Sequence, residues 1–490
     1  MRHHTRRSLR LLAALLVVPA ATGAGQSLGL DVQRRISEWY GEAQRRAPGL
    51  WGIAIADAEG RVLWSAQPEL PLVPASTTKV FTTGFARTRV GGEARRRTRV
   101  LGAGYVEPTT GIWRGTWALE LNGDPTLERP GRGPTLRDLA AGLRARGIRV
   151  LDGPLALTSR LGPATARYPE VWSVRHDGRL FAPPVGPVTI HENVVRFTVK
   201  PGRIGQRPIL VHAAPAGAEE LVDIAATTVA GNARRLSLAP TANGRWILSG
   251  TIGRRARPAG FSSVARDPVA VLDRAWNAAL GSVGITWRRI VPPTRVAPGT
   301  PLRVLSEVVS APLDSVALEV NRRSVNIGAE LLLRWAAGGE RPAQALTDHV
   351  RAVVGPLARV HFVDGSGLSD HNRITPLTQV LYLARILQTP SGRDFPLLLP
   401  ANGTGTLRRL RRGLEPGVVH AKTGTLDEAS TLLGYLGRRD GMLIVSLMYN
   451  GRYPGRARQA QWDLFRMLGA EGANVASLAS EQYGGDSLRK

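Results

Sequence analysis

With 490 residues, 43% of them hydrophobic and 21% charged, the chain has the composition of a globular protein built from about two to four structural units. It has no cysteine, which excludes structural disulfides, thiolate metal sites, a cysteine nucleophile and a lipid anchor on an N-terminal cysteine. The net charge of +27 invites a nucleic-acid reading, but all but four of the 65 basic residues are arginines scattered along the chain, a pattern of biased composition and a cationic surface with some attraction for an anionic wall or membrane polymer.

The first ten residues hold Arg2, Arg6, Arg7 and Arg10, residues 11–21 form an uncharged run, and small residues follow at 21–25. That is the three-part pattern of a secretory signal peptide over 1–25, its apolar part too short to span a bilayer comfortably, with an uncleaved anchor as the alternative. An exported protein is expected, in the periplasm or extracytoplasmic wall space. No later stretch reaches ~18 apolar residues, so membrane contact is at most peripheral.

Residues 31–46 show helical spacing, with Val32, Ile36, Trp39 and Tyr40 on one stripe. Residues 50–56 and 61–65 read as strands joined by a turn at Glu59-Gly60. Pro74 then stops the chain, and a helix can start from Ala75. From about 90 to 300 the texture changes to short β-like runs, such as 117–121, 195–199 and 246–249, broken by Gly, Pro and Arg. Helical character returns at 316–337 and at 377–387, the latter with Pro376 at its start. Strands are expected at 418–422, 432–436 and 442–449, a closing helix at 456–468, and a loosely ordered tail beyond it. The first and last parts read as halves of one α/β unit: catalytic segments at 26–92 and 298–470, an inserted region at 93–297 of two small β-rich domains, and a flexible tail at 471–490.

Three short motifs carry chemistry in order: Ser76-x-x-Lys79, Ser324-x-Asn326 and Lys422-Thr-Gly424. At three-residue spacing on a helix, Ser76 and Lys79 share a face, and a lysine whose pKa is lowered by burial and nearby cations can take the serine's proton. Ser324 can relay a proton between Lys79 and a leaving amine, and Asn326 can hold Lys79 and the substrate's peptide group. Lys422 supplies positive charge for a terminal carboxylate, with the Thr423 and Thr425 hydroxyls as hydrogen-bonding partners. Gly424 leaves a strand edge bare for an extended substrate, and the Ser76 and Thr425 amides would form an oxyanion hole. A second S-x-x-K, Ser487 to Lys490, lies at the extreme C-terminus without a helical pattern and is set aside. Two of the four lysines stand at motif positions, where arginine, which does not deprotonate, could not replace Lys79.

This triple signature is shared by serine β-lactamases and penicillin-binding proteins. The chain resembles most closely the D-alanyl-D-alanine carboxypeptidase/endopeptidase family, the class C low-molecular-mass penicillin-binding proteins. Pro74-Ala-Ser-Thr-Thr-Lys79, the segment from Asn321 to Arg334, Asp364-Gly-Ser-Gly-Leu-Ser369, Asn122-Gly-Asp-Pro-Thr-Leu127 and His420-Ala-Lys-Thr-Gly-Thr425 carry the likeness, as does the long stretch between Lys79 and Ser324, where that family places extra domains. The departures are Val325, where the family usually has aspartate, and Asp370, where a basic residue commonly follows the Gly-Ser-Gly-Leu-Ser stretch. The resemblance implies an α/β transpeptidase fold, an antiparallel sheet flanked by helices, with inserted domains. It further implies hydrolysis of D-Ala-D-Ala bonds in peptidoglycan stem peptides through an acyl-enzyme on Ser76, with possible D,D-endopeptidase action and inhibition by β-lactams. A β-lactamase, or a non-catalytic wall-binding protein of the same fold, remains the alternative.

His420 shares a strand face with Lys422, Asp364 and Ser366 read as loop-shaping residues beside the cleft, and Asp427 and Glu428 as turn residues. No His/Asp/Glu cluster has metal-ligand spacing, so neither metal nor cofactor is expected, and no nucleic-acid partner. The oligomeric state is left open.

Overall fold

A computed structural model describes residues 28–297, 299–339 and 341–483. The signal-peptide reading over 1–25 therefore lies outside the described residues. A five-stranded antiparallel sheet runs in the order Val419–Leu426, Ala429–Arg438, Gly441–Asn450, Leu50–Asp57, Val62–Ala66. The two ends of the chain close it together, since Leu50 pairs with Asn450 and Asp57 with Leu443.

Alternation of side chains along the strands sorts residues to the two faces. Trp51, Ile53 and Ile55 pack with Leu443, Val445 and Leu447 against the helices Leu30–Arg46 and Pro454–Gly469. Those helices are tied by Trp39, whose indole N–H donates to Ala460 O at 2.8 Å. Ala54, Ala56, Ile444 and Met448 face the other way, onto a helical layer that includes Thr78–Val90, Asn326–Ala337 and Pro376–Leu387. Both faces are covered, which is why these strands are apolar at nearly every position.

The middle of the chain departs from the β-rich expectation. One sheet runs Arg303–Val309, Arg97–Val106, Trp113–Glu120, Leu157–Thr158, and it is backed by two helices, Leu136–Ala145 and Pro268–Ser282. Leu136, Leu139 and Leu143 bury against Leu272, Trp276 and Leu280, a 3.6-residue pattern hidden among the short strands. The strand Arg303–Val309 lies within the segment read as catalytic, 298–470, yet its backbone pairs with Arg97–Val106 of the inserted region. Three further sheets lie within the region: Ala259–Val264/Val194–Lys200/Ile209–Ala214, one centred on Trp246–Gly253, and the parallel pair Val150–Asp152/Thr286–Arg288.

Two other expectations change. The single helix read over 316–337 is two, Leu313–Arg323 and Asn326–Ala337, broken at Ser324, which adopts φ +59 and caps the first helix through its N–H to Val320 O. The tail read as flexible carries the helix Val475–Tyr483, whose Val475 is buried and whose approach is pinned by Ala473 N–H to Gly437 O.

Candidate active site

The motif residues converge at the edge strand Val419–Leu426. Ser76 sits in a single 3-10 turn, Ala75–Thr77, that leads directly into the helix Thr78–Val90. Ala75 has φ +49, so the turn places a non-glycine residue in the left-handed region just before Ser76, as Ser324 does in the second motif. Strain of this kind persists where surrounding contacts over-determine the backbone. Here Pro74 O accepts from the hydroxyls of Thr77 at 2.8 Å and Thr431 at 2.6 Å.

Lys79 Nζ, fully buried, donates to Ser76 Oγ at 3.1 Å, Asn326 Oδ1 at 2.6 Å and Ser366 O at 2.5 Å. Lys422 Nζ, also fully buried, donates to Ser324 Oγ at 3.0 Å and Thr423 O at 2.6 Å. Each lysine thus serves one serine, and Ser324 meets Lys422 rather than Lys79. Gly424 lies against the Ser76 turn so closely that a Cβ there would come 2.7 Å from Pro74 O and 2.8 Å from Ser76 N. Gly424→Ala is therefore expected to push the edge strand off the turn and slow the chemistry of the site by about 10²-fold, with circular dichroism unchanged. Full turnover in the variant would show that the strand can yield without consequence.

A family model described as D-Ala-D-Ala carboxypeptidase 3 (S13) matches residues 42–467. The chain belongs to this family. It is a serine-type D-Ala-D-Ala carboxypeptidase, a hydrolase. The family expected from the three motifs is the one found. Among curated relatives, the D-alanyl-D-alanine carboxypeptidase of Actinomadura sp. is 27% identical, covering 95% of this chain and 91% of that protein. DacB of Haemophilus influenzae is 25% identical over 78% of this chain and 81% of its own length. The crystal structure of penicillin binding protein 4 from the same organism shares the fold, with a TM-score of 0.67 at 22% identity, covering 87% of this chain and 98% of that one.

The site owes its electrostatics to burial. Removal from water pulls the Lys79 ammonium down to about 7, an effect that the carboxylates of Asp364 and Glu330 partly offset. Burial lowers Lys422 well below the ordinary lysine range, helped by the neighbouring Lys79 and Arg458 cations. Glu330 is raised, first by burial and then by Asp364.

Sequence reasoning missed the support beneath Lys79. Glu330 Oε1 accepts the amides of Gly365 and Ser366, both at 2.9 Å, holding the loop whose Ser366 carbonyl faces Lys79. Nothing but helical spacing from Asn326 marks it in the sequence. The inserted region reaches in as well. Asn326 Nδ2 donates to Phe181 O at 2.8 Å, and the Trp172 indole N–H donates to Asp364 Oδ2 at 3.1 Å. No motif surrounds Trp172 or Phe181, so no local signal could have found them.

The lesser candidates take structural places. Asp364 organises the 364–372 loop, with Ser366 Oγ among its donors at 3.1 Å. His420 Nδ1 bonds Pro396 O at 3.0 Å, away from Lys79. Asp427 and Glu428 form the turn between the strands Val419–Leu426 and Ala429–Arg438. Val325 packs partly buried beside Ile327 and Leu331. Asp370 is exposed, its carboxylate 3.6 Å from His371. No helix among the described residues is long and apolar enough to cross a membrane.

Proposed function

We propose that Ser76 is the nucleophile of this carboxypeptidase and Lys79 its general base. The observation that carries this reading is the 3.1 Å contact between Lys79 Nζ and Ser76 Oγ, made by a lysine whose burial brings its pKa to about 7. Neutral Lys79 takes the hydroxyl proton as Ser76 Oγ bonds to the carbonyl carbon between two D-residues of a peptidoglycan stem peptide. The amides of Ser76 and Thr425 receive the developing oxyanion. Collapse breaks the C–N bond, and the proton that Lys79 took from Ser76 passes to the departing amine by way of the Ser324 hydroxyl, which gives up one proton and takes on another, so that Lys79 is neutral again. Water then adds to the ester with Lys79 again as base, releasing the shortened peptide and restoring the hydroxyl.

Asn326 holds Lys79 through its carbonyl oxygen and is placed to meet the substrate's amide. Lys422, Thr423 and Thr425 receive the terminal carboxylate. Its negative charge favours the protonated form of Lys422 that the empty cleft disfavours. Gly424 keeps that strand edge open to an extended peptide. D,D-endopeptidase action uses the same steps with a longer leaving strand. β-Lactams enter as acylating inhibitors, consistent with the crystallised complex of the Haemophilus influenzae protein with one. The catalytic unit is read as the five-stranded sheet with its two helical layers. Export is inferred from the cationic and apolar start of the sequence.

The test is intact-mass and peptide mapping after incubation with benzylpenicillin, run beside an assay of D-Ala release from a stem-peptide analogue. One penicilloyl adduct on the peptide bearing Ser76, together with D-Ala release, is the expected result. An adduct on another serine, or none, sinks the assignment.

A further inference from the structure

A cleft of about 630 Å³ opens beside the edge strand Val419–Leu426, and its wall includes Thr423 and Thr425. Five arginines, Arg322, Arg323, Arg408, Arg409 and Arg458, line it, and no carboxylate does. Among the described residues only Arg323 of these five has acidic partners, Glu192 at 2.7 Å and Glu319 at 4.0 Å. Arg458 spends its N–H groups on Gly424 O, Thr425 Oγ1 and Gln461 Oε1.

A second observation is independent of the arginines. Trp462 is nine-tenths buried, and its indole N–H, like the hydroxyl of Thr406, is a buried polar group in this wall with no partner. Buried polar groups are nearly always satisfied, so two of them in one cleft point to something that binds there. The wall offers guanidinium groups, an indole donor and hydroxyls. Its complement is an acceptor-rich anion.

Position decides which anion. Thr423 and Thr425 are shared with the place assigned above to the terminal carboxylate, so the cleft continues from there, on the side of the leaving amine. A departing D-Ala ends at that carboxylate and leaves the cleft empty. A leaving D-residue whose side chain continues to another carboxylate would fill it.

We propose that this arginine-lined cleft is a leaving-strand subsite that selects cross-links whose departing strand carries a second carboxylate. The inference rests on the Ser76 reading and extends it to the class of bond cut, an endopeptidase bond with an acidic leaving strand.

Three synthetic peptides with the same acyl part test it, with leaving groups of D-Ala, a D-residue whose side chain ends in a carboxamide, and its carboxylate counterpart. At low salt the carboxylate is expected to exceed the carboxamide in kcat/KM by about tenfold, the worth of one charge-assisted pair, and the ratio should shrink as salt rises. In the double variant Arg408→Gln, Arg409→Gln, both exposed positions, the ratio is expected to fall toward one. Arg322→Gln replaces it if the double variant fails to form the penicillin adduct. A wild-type ratio of one, in protein that forms the adduct on Ser76, overturns the subsite while leaving the nucleophile in place. A ratio that persists in the variants moves charge recognition elsewhere and overturns it too. Absence of both adduct and hydrolysis removes the nucleophile assignment, and the subsite falls with it.

Discussion

Replacing Lys79 by arginine is expected to slow acylation of Ser76 by benzylpenicillin by about 10³-fold, although the positive charge and the hydrogen-bond donors are kept. The reason is protonic. A general base must be neutral before the reaction, and guanidinium does not lose its proton in this range. Burial brings Lys79 to about 7, so in the wild type the acylation rate should climb about tenfold per pH unit below that value and level off above it. The sign follows from the base being active when deprotonated, so the limb falls on the acid side. Lys79→Arg should lose the limb together with the rate, and Ser76→Ala should lose the adduct altogether. Stopped-flow acylation from pH 5 to 9 checks all three, and a Lys79→Arg profile matching the wild type would mean that another group takes the proton.

Asp364→Ala carries the largest expected effect on stability. Its carboxylate accepts the amides of Gly367 at 2.8 Å, Leu368 at 3.0 Å and Ser369 at 2.8 Å, the Asn372 side-chain amide at 2.8 Å and the Trp172 indole at 3.1 Å, besides the Ser366 hydroxyl. Truncation leaves these buried donors bare, at roughly 1–3 kcal/mol for each one that finds no substitute. Partial relaxation brings the total to about 4 kcal/mol. Calorimetry should show Tm lower by about 4 °C. The loop also presents Ser366 O to Lys79, and Gly367 lies so close to the Ser76 turn that a Cβ would meet Ala75 O at 1.8 Å. Acylation should therefore suffer even at temperatures where the variant is folded. An unchanged Tm would mean that the loop holds its shape without the carboxylate.

Both predictions concern residues whose legibility in the sequence differed. Ser76 and Lys79 were visible because helical spacing couples positions three apart, and because lysine is scarce in this arginine-rich chain. The strands of the main sheet were visible because each carries its own run of apolar residues. The break at Ser324 was not. Apolar spacing continues on both sides of it, and only the left-handed backbone at one residue separates the helices. The helices Leu136–Ala145 and Pro268–Ser282 were overlooked because short amphipathic segments among short strands give weak periodicity, and their stability comes from packing on each other and on a sheet.

The linear order of residues already carried the candidate chemistry: a serine, a lysine three residues on, and the Ser324-x-Asn326 and Lys422-Thr-Gly424 motifs, all local patterns that spacing alone can reveal. Which groups meet was settled by folding alone. Lys422 reaches Ser324, Glu330 holds the loop before Lys79, Trp172 and Phe181 come in from the inserted region, and Leu50 closes the sheet on Asn450. These pairings join residues far apart in the chain. They follow from the burial of two apolar sheet faces and from the need to satisfy buried polar groups, conditions that the whole fold meets together and no short segment expresses alone.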